Sequence, residues 1–116
     1  MLNKRNRIGH ADMIARLSKE GKIFKTPLLF FRFETGTKAD SQFAVNVSKK
    51  IYHDAVPRNR LRRQIHEALR ANLTLLKKPW LALISVRIPL KGTKSDFESL
   101  SQNIIEFFNH LNTHEK

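Results

Sequence analysis

The sequence predicts an α+β protein, a two-layer sandwich with helices packed on a mostly antiparallel sheet. Three observations carry this expectation. Two long segments, 57–76 and 97–111, repeat apolar residues at helical spacing. Three runs of strand length, 28–33, 43–48 and 80–88, are dense in Phe, Leu, Ile and Val. With a short helix in front, the order is α-β-β-α-β-α. At 116 residues the chain fits one domain, spanning 1–116.

The first helix covers Ala11–Glu20, where Ala11, Ile14 and Leu17 recur at spacing three and Gly21 supplies a C-terminal stop. Pro27 then precedes the apolar run Leu28–Phe33. Gly36–Ser41 reads as a polar loop. Phe43, Val45 and Val47 alternate with smaller or polar residues at period two, so the two runs suggest a hairpin with one buried face. The second helix starts near Pro57, since proline is tolerated in a first turn whose N–H groups have no helical partner. Leu61, Ile65, Ala68, Leu69, Leu73 and Leu76 form its apolar stripe, and Arg60, Arg63 and Arg70 fall on the other side. Lys77-Lys78-Pro79 breaks it. Trp80–Ile88 is apolar almost throughout, as expected of a strand covered on both faces. Ser95 and Glu98 read as a capping box for a last helix carrying Phe97, Leu100, Ile104, Phe108 and Leu111.

Charge narrows the function. Lys and Arg number 22 against 10 Asp and Glu, a net of +12. Residues 1–70 hold 16 of the bases and 6 of the acids, and the segment 49–70 alone holds seven bases against Asp54 and Glu67. A hydrophobic share of 41% is enough for a packed core, so the charge belongs to a folded surface. A segregated cationic surface of this kind suits a polyanion, with nucleic acid first among them. No cysteine is present, which excludes disulfides, thiolate metal sites and cysteine nucleophiles. No apolar run approaches the roughly 18 residues of a membrane span, and no secretory signal is expected from the basic opening.

Arg58-Asn59-Arg60-Leu61-Arg62-Arg63 places four permanently charged guanidinium groups in two turns at a helix start, where free backbone N–H groups also favour an anion. The competing role is a salt bridge from one arginine to the last helix. Ser48-Lys49-Lys50 ends the preceding strand and adds to the same surface, and Lys4-Arg5-Asn6-Arg7 forms a basic arm of a kind commonly solvated until nucleic acid orders it. Phe30 or Phe31 suits base stacking on an open sheet face. Enzymatic patterns are poor. His110 and His114 have i,i+4 spacing but no third metal ligand. His53 and His66, with Lys49, suit acid–base cleavage of RNA only in principle, since no spacing supports it. Neither a phosphate-binding glycine loop nor a nucleophile elbow is present.

Val47-Ser48-Lys49-Lys50, Ala55-Val56 and Arg58-Asn59-Arg60-Leu61-Arg62-Arg63, followed by Glu67, resemble the signature of the bacterial ribonuclease P protein subunit. The basic opening, Gly21, the strand 80–88 and the last helix extend the resemblance over the whole chain. It implies a fold like the second domain of ribosomal protein S5, with a left-handed βαβ crossover. It implies a cytoplasmic protein with no catalytic side chain of its own, in one-to-one complex with ribonuclease P RNA, which holds Mg²⁺ and the catalytic centre. The holoenzyme hydrolyses precursor tRNA to free the 5′ leader. RNA-contacting residues then include Arg58, Asn59, Arg60, Arg62, Arg63 and Arg70, with Ser48, Lys49, Lys50, Lys4, Arg5 and Arg7 supporting them. A leader cleft between first helix and sheet involves Ile14, Ser18, Arg16, Phe30 and Phe31. Ile14 and Ser18 stand where the family commonly has aromatics, Ala44 where it often has glycine, and His66 where arginine is frequent. The segment Tyr52-His53-Asp54 is one residue longer than the common turn. The alternative is a general RNA-binding or ribosomal protein with no processing role. A stand-alone nuclease using His53 or His66 is the third possibility.

Overall fold

The computed structural model describes residues 2–49, 54–90 and 93–113. Its elements are α1 (Ala11–Glu20), β1 (Lys22–Lys25), β2 (Leu29–Thr35), β3 (Gln42–Asn46), α2 (Ala55–Asn72), β4 (Trp80–Val86) and α3 (Lys94–Thr113), with short 3₁₀ turns at Lys4–Asn6 and Leu73–Leu75. The α+β sandwich is as expected, but its sheet differs from the sequence reading in two ways.

First, the order has an extra strand. Lys22-Ile23-Phe24-Lys25 is β1, antiparallel to β2 with Phe24 opposite Phe31. Four residues with lysine at both ends give almost no strand signal, and such residues are typical of an edge that must not recruit further strands. The hairpin closes through Thr26, whose N–H donates to Leu29 O at 2.9 Å and whose Oγ1 accepts from Leu29 N at 3.2 Å. Second, β2 and β3 do not pair with each other. The sheet order is β1-β2-β4-β3, so β4 lies between them, antiparallel to β2 and parallel to β3. Period-two alternation says which face of a strand is buried and nothing about which edges meet. The almost wholly apolar β4 belongs at the centre because it is the strand covered on both faces. β3, α2 and β4 therefore form a βαβ unit.

One layer is the larger core. Leu29, Phe31, Phe33, Phe43, Trp80, Ala82 and Ile84 face α2 and α3, whose Leu61, Ile65, Leu69, Ile104, Phe107 and Phe108 are buried against them. Phe107 stacks on Phe31 at 3.9 Å between ring centroids and meets Phe33 edge-on at 5.6 Å. The other face of β4, Leu81 and Leu83, is covered by Ile8 and Leu17, with Met13, Ile14 and Ala44 at the margin. α1 thus lies on the front of the sheet while α2 and α3 lie on the back.

Helix boundaries carry two further corrections. Gly21 follows α1 with φ −65° and ψ 152°, an ordinary extended conformation. Glycine is needed there for space: a Cβ would stand 2.8 Å from Leu17 O and 3.1 Å from Phe33 N. The cap of α3 is Thr93, two residues before the expected Ser95. Thr93 Oγ1 accepts from Asp96 N at 3.1 Å, and Thr93 N donates to Asp96 Oδ2 at 3.2 Å. This is a reciprocal capping box with Asp96 taking the role the sequence suggested for Glu98. α2 ends at Asn72, whose Nδ2 donates to Ala68 O at 2.7 Å, and the stripe continues through the 3₁₀ turn. Among the described residues no helix is long and apolar enough to cross a membrane.

Candidate nucleic-acid interface

α2 presents its bases outward because its opposite stripe is committed to the core. Leu61, Ile65, Ala68 and Leu69 are at most 1% exposed. Arg60 and Arg63 are consequently left in solvent, and Arg58 and Arg62 are half-buried at the flanks. Arg58 Nε donates to Asp54 O at 3.4 Å, and Arg62 Nη1 donates to Asn59 Oδ1 at 2.9 Å. Asn59 therefore orients a neighbouring arginine. Among the described residues none of the four arginines forms an ion pair, so the expected competing role, a tie to α3, has no counterpart there. Arg70 differs. Its guanidinium is held by Glu67 one turn earlier, with Nη2 at 2.5 Å from Oε1, and the hydrogen bonds from Arg70 push the Glu67 carboxyl down to about 2. Its charge is largely spent within α2.

Ser48 and Lys49 follow β3, half-buried and exposed respectively. Lys50, Tyr52, His53 and His114 lie outside the described residues. The basic opening is no loose arm. Leu2 is 3% exposed in the main core, and the buried Asn6 donates from Nδ2 to Ser41 O at 2.8 Å. Arg7 bridges Phe43 in parallel, and Ile8 N donates to Phe43 O at 3.0 Å. The segment is thus strapped along the free edge of β3, with Lys4, Arg5 and Arg7 exposed. Apolar anchors on both sides of the basic run (Leu2 and Ile8) were the available signal for this. Arg5 lies 4.0 Å from Asp40.

His66 reports how close strap and helix come. It is 7% exposed, with Nδ1 lacking a hydrogen-bond partner among the described residues. Burial lowers its pKa, and the positive charges of Arg7 and Arg62 lower it further. The His66 imidazole therefore resists protonation, and the Arg7 charge lies within electrostatic reach of α2.

The front cleft is only partly as expected. Phe31 belongs to the back core, 0% exposed, and is excluded from base stacking. Alternation puts Phe30 on the front, half-buried, with Lys25 Nζ 5.7 Å and the Arg32 guanidinium 5.8 Å from its ring centroid. Arg32 Nη1 also donates to Gly21 O at 3.0 Å. Lys25 and Arg32 were missed in the sequence because β1 was missed, although Arg32 shares a face with Phe30 by simple alternation. Arg16 is ion-paired to Glu34 of β2 and so does not offer an open charge to the cleft. Ile14 packs into the front cluster, and Ser18 is exposed with Oγ donating to Ala15 O at 3.0 Å. Among the described residues no three His, Asp or Glu side chains are grouped as a metal site would require.

An α+β sandwich whose helix start carries four arginines with no ion pair among the described residues, with a basic strap beside it, has a surface suited by its electrostatics to a polyanion. The comparisons specify the class. The family model described as Ribonuclease P matches residues 2–112. The ribonuclease P protein component of Rippkaea orientalis is 32% identical over 91 residues, covering 74% of this chain and 72% of that protein. That of Synechococcus elongatus is 31% identical over 86 residues, covering 71% and 70%. Among solved structures, the ribonuclease P protein from Thermotoga maritima matches with a TM-score of 0.77 at 22% identity, covering 95% of this chain and 98% of that one. The Staphylococcus aureus protein matches with a TM-score of 0.74 at 19% identity, covering 91% and 94%. The chain belongs to the ribonuclease P protein family, whose members are the protein component of an RNA-processing endoribonuclease.

Proposed function

We propose that this chain binds the catalytic RNA of ribonuclease P and the 5′ leader of precursor tRNA, and thereby assists removal of the leader. The observation that carries this reading is the outward face of α2, where Arg58, Arg60, Arg62 and Arg63 have no acidic partner among the described residues. Unpaired guanidinium groups bind phosphate in bidentate fashion and stay charged at every working pH. Ser48, Lys49, Lys4, Arg5 and Arg7 extend the same cationic surface, and Lys50 joins them by its place in the sequence. Phe30, with Lys25 and Arg32 beside it, offers a stacking ring and two cations to a single strand on the sheet front.

In this reading the protein contributes no catalytic side chain. Its charges reduce the repulsion between two RNAs and hold the leader in line. Mg²⁺ belongs to the RNA and supplies the electrostatic support for hydrolysis. Water attacks the scissile phosphorus, the bond to the leader's 3′ oxygen breaks, and the tRNA keeps a 5′-phosphate while the leader leaves with a 3′-hydroxyl. The complex is one-to-one and cytoplasmic.

Reconstitution tests it. The protein added to a ribonuclease P RNA restores precursor-tRNA cleavage at low Mg²⁺, and protein alone cleaves nothing. Cleavage by protein alone that His66→Ala abolishes would indicate a nuclease; RNA binding without restored cleavage would indicate a general RNA-binding protein.

A further inference from the structure

A second feature lies where the strap passes from the back layer to α1. Lys4 and Arg7 of the strap, His10 before α1, and Lys38 and Gln42 from the β2–β3 connection and start of β3 surround a concavity of about 460 Å³. Its apolar wall is Ile8 and Met13. Among the described residues no acid lines it, whereas the neighbouring concavity beside Lys77 includes Asp40 and that under β2 includes Glu20 and Glu34. Elsewhere in the molecule Arg16, Arg70 and Arg5 each have a carboxylate within 4.0 Å. Among the described residues the side chains of Lys4, Arg7, His10 and Lys38 have none, and all four are exposed. Three permanent or near-permanent cations have thus been gathered around one hollow without compensation, an arrangement that self-repulsion disfavours unless an anion fills it.

We infer that this hollow is a second RNA-backbone site, taking a phosphate between Lys4, Arg7 and Lys38 and laying its ribose against Ile8 and Met13. Gln42 and His10 offer hydrogen bonds to ribose hydroxyls, the group that distinguishes RNA from DNA. The inference rests on the RNA-binding reading above and adds residues that lie outside the arginine helix. Continuity supports it. Arg7 borders the hollow, and its charge reaches His66 of α2, as does that of Arg62. The strap is anchored on both sides of its bases by Leu2 and Ile8, so these cations need not be ordered on binding.

The test compares Lys38→Gln and Lys38→Glu with wild type and with the double variant Arg60→Ala/Arg63→Ala. Binding is measured as a function of salt in two arms, protein with ribonuclease P RNA, and holoenzyme with precursor tRNA bearing or lacking its leader. Lys38→Gln is expected to weaken binding about fivefold in one arm, and Lys38→Glu more. The slope of log affinity against log salt should fall by about 0.7–0.9, one phosphate contact. A loss in the first arm makes the catalytic RNA the source of the phosphate; a loss confined to leader-bearing substrate makes it the leader. Unchanged affinity and slope in both arms for Lys38→Glu, while the double arginine variant binds poorly, overturns this inference and leaves the RNA-binding reading standing. Failure of wild type to bind either RNA overturns both. Lys38 is exposed, so unfolding midpoints of its variants should match wild type.

Discussion

Arg60 and Arg63 are exposed and form no ion pair among the described residues. Arg60→Ala with Arg63→Ala should therefore leave stability within about 0.5 kcal/mol of wild type while RNA affinity falls, a contrast read by thermal unfolding beside filter binding. Lost stability with intact binding would reassign the pair to a structural role. His66 is the opposite kind of residue, buried and titratable. Its folded-state pKa lies below the ordinary value through burial and the charges of Arg7 and Arg62. The unfolded chain takes up its proton near pH 6.5, whereas the folded protein resists it. Acid therefore favours unfolding, and stability should decline as pH falls below about 6.5. His66→Gln should flatten that decline in a series of melts between pH 7.5 and 5. The sequence showed the arginines plainly, since charge and helical spacing are local. It could not show that His66 is buried, because burial depends on which elements pack around the helix.

At the scale of elements, two junctions position the site. α1 meets β2 through Gly21, and the close approach leaves no room for a Cβ. Gly21→Ala should cost about 1–3 kcal/mol by overpacking, measurable by denaturant titration, and should disturb the front cleft that Arg32 joins through Gly21 O. Thr93 starts α3. Thr93→Ala should cost about 1 kcal/mol, while Ser95→Ala should be nearly silent. The reverse result would restore Ser95 as the cap. The last helix itself was legible from its stripe. Its first residue was not, because Thr93-x-x-Asp96 and Ser95-x-x-Glu98 are both plausible caps and only packing against the sheet selects the earlier start. The strand β1 was illegible for a simpler reason: an edge strand of four residues, two of them lysine, buries too little to leave a pattern.

For the molecule as a whole, +12 on 116 residues sets the character of its interactions. A surface making about 6–10 phosphate contacts should lose about 10³–10⁵ in RNA affinity between 50 and 200 mM salt. Affinity that barely changes over that range would mean that apolar contacts, not the cationic surface, hold the RNA. The sandwich divides its labour by layer. α2 and α3 complete the large core, and the arginines on α2's outward face are thereby left in solvent. α1 covers only part of the front, so Phe30, Lys25 and Arg32 remain reachable. The strap along β3 joins the two faces.

The sequence by itself determined the fold class, the long helices, the central strand and the arginine face of α2, all of which follow from periodicity or local charge. Only tertiary structure decided that β4 separates β2 from β3, that Phe31 is core while Phe30 is surface, and that the basic opening is anchored. It also decided that Arg16 and Arg70 are neutralised by Glu34 and Glu67. The physical reason is that alternation and amphipathicity specify which face of an element is buried. Edge pairing and charge compensation depend on which elements become neighbours, and that is a property of the whole packed molecule.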